Sequence, residues 1–192
     1  MQKLVRCILI ATAAAAAWAG CADQPASSAA TNASKSGNSP TNVSSNSAAA
    51  IPGWPPTKAQ PKLPTRKLFL GKEVIAAELA LTPVQMGTGM MFRTSMAEED
   101  GMLFVFPRPH RAAFYMKNTL VPLTAAYIDP EGTILELHDL QPKEETPVDA
   151  TSDNIQFVLE MNQGWFKRHN ISTGAVVSTE AGSLRKMFGL GQ

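Results

Sequence analysis

A long stretch of small and polar residues divides this chain. Residues 22–50 contain 24 Ala, Ser, Asn, Thr or Pro residues among 29, and Val43 is their one larger aliphatic side chain. Such a segment buries too little apolar surface to offset the conformational entropy that folding removes. The residues that can build a core follow Pro64. We therefore predict one folded domain over residues 64–182, long enough for a single core, and a C-terminal tail over residues 183–192.

The N-terminus has the pattern of an export signal. Lys3 and Arg6 precede an apolar run from Cys7 to Ala19, which has 13 residues. A helix that spans a bilayer needs about 20 residues, so this run is too short to be a membrane anchor. The pattern predicts a secretory signal peptide over residues 1–20.

Two cleavage sites are compatible with this signal. Ala17-Trp18-Ala19 satisfies the small-x-small rule for cleavage before Gly20, whereas Ala19-Gly20-Cys21 resembles a bacterial lipobox with a lipidated cysteine. We favour the lipobox, because one of only two cysteines occupies the required position. Several acyl chains on Cys21 would anchor the protein durably to a membrane. Ala22 after the cysteine resembles outer-membrane sorting, so we expect an outer-membrane lipoprotein facing the periplasm, or otherwise a periplasmic or secreted protein.

The segment between the cysteine and the domain is predicted to be a tether. Residues 21–63 begin Ser/Ala/Asn-rich and flexible, and become Pro-rich and stiffer after Ile51. Cys7 would leave with the signal and Cys21 would carry lipid, so the mature domain has no free thiol. This excludes disulfides, cysteine-ligated metals and a cysteine nucleophile in the domain.

Composition and motif spacing exclude several classes of partner. Charged residues make up 17% of the chain and the net charge is +1, without the basic excess that nucleic-acid binding requires. The three histidines, His110, His138 and His169, lack the spacing of metal sites. We expect no nucleic-acid partner, no metal and no cofactor.

Short apolar runs separated by Gly, Pro and Asp turns predict a mainly β domain. One helix is expected from Thr82, which can cap it ahead of Pro83, and a second over residues 164–169. Pro107 and Pro109 are expected to end one strand. The predicted fold is a compact β-sandwich or barrel-like sheet of seven or eight short strands with one or two short helices. The strands are expected at 66–70, 73–81, 102–106, 112–116, 122–128, 133–140, 155–161 and 175–179.

Four segments together resemble a known family. They are Gly89-Met-Met-Phe-Arg93, Asp100-Gly-Met-Leu-Phe-Val-Phe106, Phe114-Tyr-Met-Lys-Asn-Thr119 with Pro122-Leu123, and Phe157-Val-Leu-Glu160 with Gly164-Trp165. In order and spacing they are similar to the bacterial and archaeal domain of unknown function numbered 192, over about residues 66–180. The resemblance implies a compact, mainly β and often exported domain, and no established reaction. Tyr115 stands where Trp is commoner in the family, and Thr124 where Asp is frequent.

The sharpest local candidate is Met116-Lys117-Asn118-Thr119. Alternation along a strand would place Lys117 and Thr119 on one face and Asn118 on the other. Lys117 beside Thr119 is suited to an anionic or hydroxyl-bearing ligand. Alternatively, Lys117 forms a structural ion pair with Asp100, Asp129 or Glu160, and Asn118 is a turn or bulge residue.

Three further charged residues are candidates. Arg93 can clamp a carboxylate or phosphate, or tie the short helix to the sheet. Asp129 precedes Pro130 and has the pattern of a turn residue. Glu160 lies in an apolar strand, so its carboxyl must be paired or face solvent. Glu160 could also form an acid/base pair with Asp129 or Asp100.

Two hypotheses for function follow. The first is a non-enzymatic binding module of the cell envelope, which uses the Lys117/Thr119 face and Arg93 to hold a small polar or glycan-like ligand or a protein partner. The second is a hydrolase that acts on an envelope polymer through carboxylates such as Glu160 and Asp129.

Overall fold

The computed structural model describes residues 54–190, which form a mainly β domain. This part of the chain contains ten strands and three short helices. The strands are β1 (Thr65–Leu70), β2 (Glu73–Ala80), β3 (Asp100–His110), β4 (Ala113–Phe114), β5 (Leu123–Ile128), β6 (Ile134–Leu140), β7 (Val148–Asp149), β8 (Ile155–Asn162), β9 (Val177–Thr179) and β10 (Gly182–Ser183). The helices are α1 (Pro83–Thr88), α2 (Trp165–Arg168) and α3 (Leu184–Phe188).

Eight strands form one mixed sheet, and β4 pairs with β7 in a second sheet. The order in the large sheet is β10-β9-β1-β2-β3-β8-β5-β6, and all neighbours are antiparallel except β2 and β3. The described strands leave this sheet open, without a closed barrel. The mainly β, sandwich-like prediction is confirmed. The count exceeds eight because β7 and β10, of two residues each, lie outside the predicted strands, whereas β4 is a two-residue part of the strand expected at 112–116.

The prolines in β3 do not end the strand, contrary to the sequence prediction. β3 continues through Pro107 and Pro109 to His110, with a register shift after Val105. The last β2 partner of β3 is Phe104, so beyond that point β3 has β8 on one side only. Proline is tolerated there because neither β2 nor β8 pairs with Pro107 or Pro109, so the missing N–H groups remove no ladder bond.

Both faces of the sheet are covered. One face packs under α2 and α3, whose Trp165, Phe166 and Leu184 are almost fully buried. The other face packs against residues from the α1 region and from the small sheet, including Met90 and Phe114. The interior strand β8 is consequently mostly apolar, and its first seven residues are buried, including Gln156 and Glu160.

The parallel pairing of β2 and β3 requires a crossover connection, and α1 lies in it. Thr82 caps α1 as predicted: its hydroxyl accepts a bond from Gln85 N, and the Gln85 side chain accepts one from Thr82 N. Pro83 occupies the first helical turn, where its missing N–H has no intrahelical role. Gly89 ends the helix with a φ of 46°.

Residues on both sides of the predicted domain contact it. Gln60 Nε2 donates to the carbonyls of Gln85 and Gly89, at 3.2 and 2.9 Å, and Trp54 lies against Gly87. Residues 54–63, which the sequence assigns to the tether, therefore cross α1. At the other end, Leu184 is fully buried in α3, within the segment assigned to the C-terminal tail.

Candidate ligand-binding site

Glu160 lies in the centre of the large sheet. It pairs with Met102 of β3 on one side and Ala125 of β5 on the other, so its side chain shares their face. The residue is only 4% exposed. Its Oε2 has no hydrogen-bond partner among residues 54–190. A buried carboxyl without a partner is costly, which makes this position the first candidate for a functional site.

Burial governs the ionisation of this carboxyl. Loss of hydration raises the pKa of Glu160 from its ordinary 4.5 to about 8, with no opposing charge or hydrogen bond to lower it. The neighbouring Tyr127 does not serve as a partner, because its hydroxyl donates to the Val148 carbonyl at 2.6 Å. At neutral pH the carboxyl is therefore mainly protonated, unless a cation reaches it.

Glu160 faces a cavity of about 240 Å³. The walls come from α1 and the turn after it, from β3, and from the segment around β4. Most of the lining is methionine and aromatic side chains, and Tyr115, which is 40% exposed, lies at its rim. The lining residues are Met86, Gly87, Thr88, Gly89, Met90, Met91, Phe104, Phe106, His110, Ala113, Phe114, Tyr115, Thr119 and Glu160.

Glycine at position 89 keeps this wall close to the sheet. Its positive φ is a conformation that other residues rarely adopt. A Cβ built there would lie 3.3 Å from Cζ of Phe104, which lines the same cavity. The end of α1 therefore leaves little room beside the Phe104 ring for a side chain at position 89.

The structure places Arg93 outside this cavity, in an ion pair with Glu78 of β2. The guanidinium donates two hydrogen bonds to the Glu78 carboxylate, at 2.5 and 2.8 Å, and Leu63 N donates a third at 2.7 Å. Burial acts to raise the pKa of Glu78, but these bonds and the Arg93 charge hold it below its ordinary value. Arg93 thus ties the segment after α1 to the sheet, which is the structural alternative from the sequence.

Lys117, Asn118 and Thr119 do not lie in a strand, so the expected alternation of their side chains is wrong. They form a turn, in which Thr119 N donates to the Met116 carbonyl at 2.9 Å. Asn118 adopts a φ of 56°, a left-handed conformation that Asn tolerates better than most residues. Lys117 pairs with Glu145 at 3.1 Å, not with the expected Asp100, Asp129 or Glu160, and both side chains are at least half exposed.

Asp129 lies in the β5–β6 turn, as its sequence context predicts. Its Oδ1 accepts a hydrogen bond from Thr133 N at 2.7 Å, and its own N–H donates to the Thr133 carbonyl at 3.0 Å. The adjacent Ile128 pairs with Phe157, three residues before Glu160 on β8. Asp129 is not among the residues that line the cavity.

Of the six ligand-binding candidates from the sequence, only Thr119 and Glu160 line one cavity. Arg93, Lys117 and Asp129 each bond to another partner, and Asn118 shapes the turn. The sequence analysis missed Phe104, Phe114 and His110 as lining residues. Their aromatic character was visible, but nothing local in the sequence shows that α1 stands off the sheet beside them.

A second cleft, of about 450 Å³, lies on another part of the described surface. Two of its polar side chains are bonded to each other: Thr124 donates to Asp139 at 2.6 Å, and it accepts from Gly164 N at 2.9 Å. Thr124, one of the two departures from the family pattern, therefore has a structural role here. We take the Glu160 cavity as the candidate site.

Residues 54–190 show neither a metal-binding cluster nor a membrane-spanning helix. No group of three or more His, Cys, Asp or Glu side chains in this part of the chain is arranged to hold a metal ion. No helix within residues 54–190 combines the length and apolarity needed to cross a membrane. Cys21, the predicted lipid attachment, lies outside the residues that the structure describes.

The fold and cavity define a mainly β domain that holds one unpaired buried carboxyl against an apolar pocket. This chain belongs to the family DUF192, described as "Uncharacterized ACR", which it matches over residues 67–179. The resemblance noted from the sequence is confirmed. A comparison with curated proteins gives no match.

Two solved structures are similar to this chain. One is a Sinorhizobium meliloti 1021 protein, suggested to be a transcription regulator, with 31% identity and a TM-score of 0.59, over 62% of this chain and 96% of that one. The other is a protein of unknown function from Novosphingobium aromaticivorans DSM 12444, with 31% identity and a TM-score of 0.58, over 60% of this chain and 86% of that one. Neither description assigns a ligand or a reaction.

Proposed function

We propose that this protein is a binding module of the cell envelope and that its ligand site is the cavity around Glu160. The observation that carries the proposal is the Glu160 carboxyl, which is 4% exposed, has no partner for Oε2 in the described chain, and borders a cavity. A mainly apolar pocket with one such polar group is the usual form of a small-molecule site.

The ligand is a small molecule with one polar group and an apolar body. Glu160 supplies the one charged group, three Met and three Phe side chains supply apolar wall, and Thr88, Thr119, His110 and Tyr115 add neutral polar groups. A glycan presents hydroxyl groups on all sides, whereas six of the fourteen lining residues are Met or Phe, which have no strong hydrogen-bonding group to offer them. The cavity is also smaller than the roughly 300–1,000 Å³ of drug-sized sites. These features favour a compact solute over a glycan.

The hydrolase alternative receives less support from the geometry. Among the lining residues, Glu160 is the one that carries a carboxyl group. Asp129 holds a turn, and Asp100 lies 3.9 Å from the Lys62 ammonium at the start of β3. A regulator role, as suggested for the Sinorhizobium protein, finds little support in a net charge of +1.

Methyl NMR tests the proposed site. Met86, Met90 and Met91 line the cavity, whereas Met187 packs on the opposite face of the sheet. In a screen of small solutes, we expect ligands that shift the methyl signals of the three lining residues and leave Met187 unchanged. If no solute shifts the lining methyl groups, or if ligands shift Met187 alone, the site assignment is wrong.

The envelope location rests on the N-terminal sequence. A basic start, a short apolar run and the Ala19-Gly20-Cys21 motif support export and lipidation at Cys21. In a bacterial host fed labelled palmitate, we expect the wild type to be labelled and recovered with membranes, and the Cys21→Ser variant to lose the label. A mature protein that begins with unmodified Gly20 would refute the lipid anchor, and retention in the cytosol would refute export.

A further inference from the structure

The cavity around Glu160 has a distinctive charge pattern. Glu160 is the one acidic side chain in its lining, and neither Lys nor Arg occurs among the lining residues. His110 is the one imidazole there, and its ring lies edge-on to Phe106 with the centroids 4.4 Å apart. A ligand with a negative charge would therefore face a carboxyl group without a cation to receive it.

A second buried carboxyl on this face, that of Glu78, has a cationic partner. Glu78 pairs with Met102, which also pairs with Glu160, so both glutamates project from the same face of the sheet. Glu78 receives a guanidinium from Arg93. For Glu160, no residue in the described part of the chain supplies an equivalent donor to Oε2. The cation that Glu160 lacks can be brought by a ligand.

Aromatic rings line the same cavity as Glu160. Phe104 and Phe114 lie edge to face, with their centroids 4.9 Å apart, and both line the cavity with Phe106 and Tyr115. The face of an aromatic ring attracts cations, most strongly where water is excluded. Aromatic walls with a buried carboxyl are the chemistry that recognises an alkylated ammonium group, since alkyl groups contact the rings and the charge meets the carboxylate.

We propose that the cavity binds a small organic ammonium cation, with its charge on Glu160 and its alkyl groups against Phe104, Phe106 and Phe114. This inference rests on the proposed ligand site and names its ligand class. An inorganic divalent cation fits less well, because it requires several oxygen ligands and no group of three acidic, His or Cys side chains is found in residues 54–190. The size of the cavity favours a compact cation.

The test compares a cation with a neutral molecule of nearly the same shape. Choline and 3,3-dimethyl-1-butanol differ in the quaternary nitrogen, which carbon replaces in the alcohol. By calorimetry and methyl NMR at pH 7, we expect choline to bind at least about tenfold more tightly than the alcohol. Equal binding of the two would overturn the ammonium assignment.

Matched variants separate the charge of Glu160 from general electrostatics. Glu160→Gln keeps the shape and removes the charge, and we expect it to abolish the preference for choline. Glu145→Gln removes one negative charge from an exposed position outside the cavity and should retain the preference. Phe114→Leu should weaken choline binding more than alcohol binding. Preference that survives Glu160→Gln would overturn the role of Glu160.

A free solute and a lipid headgroup can carry the same ammonium group. Flotation with phosphatidylcholine or phosphatidylglycerol vesicles distinguishes these sources: selective flotation with phosphatidylcholine identifies a headgroup, and choline binding without flotation identifies a free solute. Either result supports an ammonium ligand.

If the alcohol or another neutral solute shifts the lining methyl groups and choline does not, the ligand class is wrong and the proposed site stands. If no solute shifts them, both fail.

Discussion

Glu78 and Glu160 project from one face of the sheet, on either side of Met102, which pairs with both. Both are buried, at 5% and 4% exposure. Glu78 accepts hydrogen bonds from Arg93 and Leu63, which hold its pKa low, whereas burial alone raises the pKa of Glu160 to about 8. One glutamate therefore stabilises the fold as an ion, and the other stays available for a ligand.

Removing Arg93 should destabilise the domain strongly. Arg93→Met leaves the Glu78 carboxylate buried without its cation, and we expect a loss of about 3–5 kcal/mol in the free energy of unfolding, measured by urea denaturation. The Arg93→Met/Glu78→Gln double variant should recover much of this loss, because it no longer buries an unpaired charge. A loss below about 1 kcal/mol in the single variant would contradict the pairing.

Glu160 should make stability depend on pH. Its folded-state pKa is about 8 and its ordinary value is 4.5. Between these values the unfolded chain releases the proton and the folded protein keeps it, so the free energy of unfolding falls as pH rises, by up to about 1.4 kcal/mol per unit. The contribution of the protonated Glu160 carboxyl to stability is fully present below about pH 4.5 and is lost above about pH 8.

The Glu160→Gln variant isolates that contribution. Gln cannot ionise. We therefore expect the free energy of unfolding of the variant, relative to that of wild type, to rise by a few kcal/mol from pH 5 to pH 9, in denaturation measured at both pH values. The other carboxyl groups are common to both proteins and cancel in the comparison. Parallel pH profiles for the two proteins would show that the carboxyl is not held in a dry site.

Gly87 and Trp54 should be coupled. A Cβ at position 87 would lie 2.5 Å from the Trp54 ring, so we expect Gly87→Ala to destabilise the wild-type background. In a Trp54→Ala background the same substitution should stabilise by up to about 1 kcal/mol, because Ala favours helix more than Gly does. Thermal or chemical unfolding of the four proteins measures this reversal. Stabilisation by Gly87→Ala in both backgrounds would show that Trp54 does not pack against Gly87.

The turn at Asn118 should matter more than the lysine beside it. Asn118→Ala places a residue with a Cβ at a φ of 56°, without the tolerance of Asn, and should cost about 1 kcal/mol, whereas Asn118→Gly should be nearly neutral. Lys117→Ala should change stability by less than about 1 kcal/mol, because its ion pair with Glu145 is exposed. Chemical denaturation of the three variants measures these changes. A larger loss of stability for Lys117→Ala than for Asn118→Ala would contradict the prediction.

Local sequence predicted most of the secondary structure. The Thr82 cap, the Asp129 turn and the apolar run of β8 depend on neighbouring residues, so their patterns were sufficient. The length of β3 was not predictable in this way, since Pro107 and Pro109 are tolerated where β2 has ended and β8 does not pair with them. Whether proline is tolerated depends on the pairing of β3 with its neighbouring strands, which the local sequence of β3 does not show.

The candidate site was predicted only in part. Glu160 was singled out because an apolar strand carries a carboxyl, and this conflict is visible in the sequence. The partners of Arg93 and Lys117 were not predictable, because Glu78 and Glu145 are 15 and 28 residues away along the chain. The cavity itself depends on where α1 lies after the crossover, and no periodicity encodes that.

The path of residues 54–63 also has a mechanical consequence. From the N-terminal side, the first contacts that the described chain makes with the domain are those of Trp54 and Gln60 with α1, ahead of any strand. Traction on the N-terminus would therefore reach the cavity wall before it reached the sheet. In a protein held by that end, a load would deform the wall of the proposed site first, while the sheet remained intact.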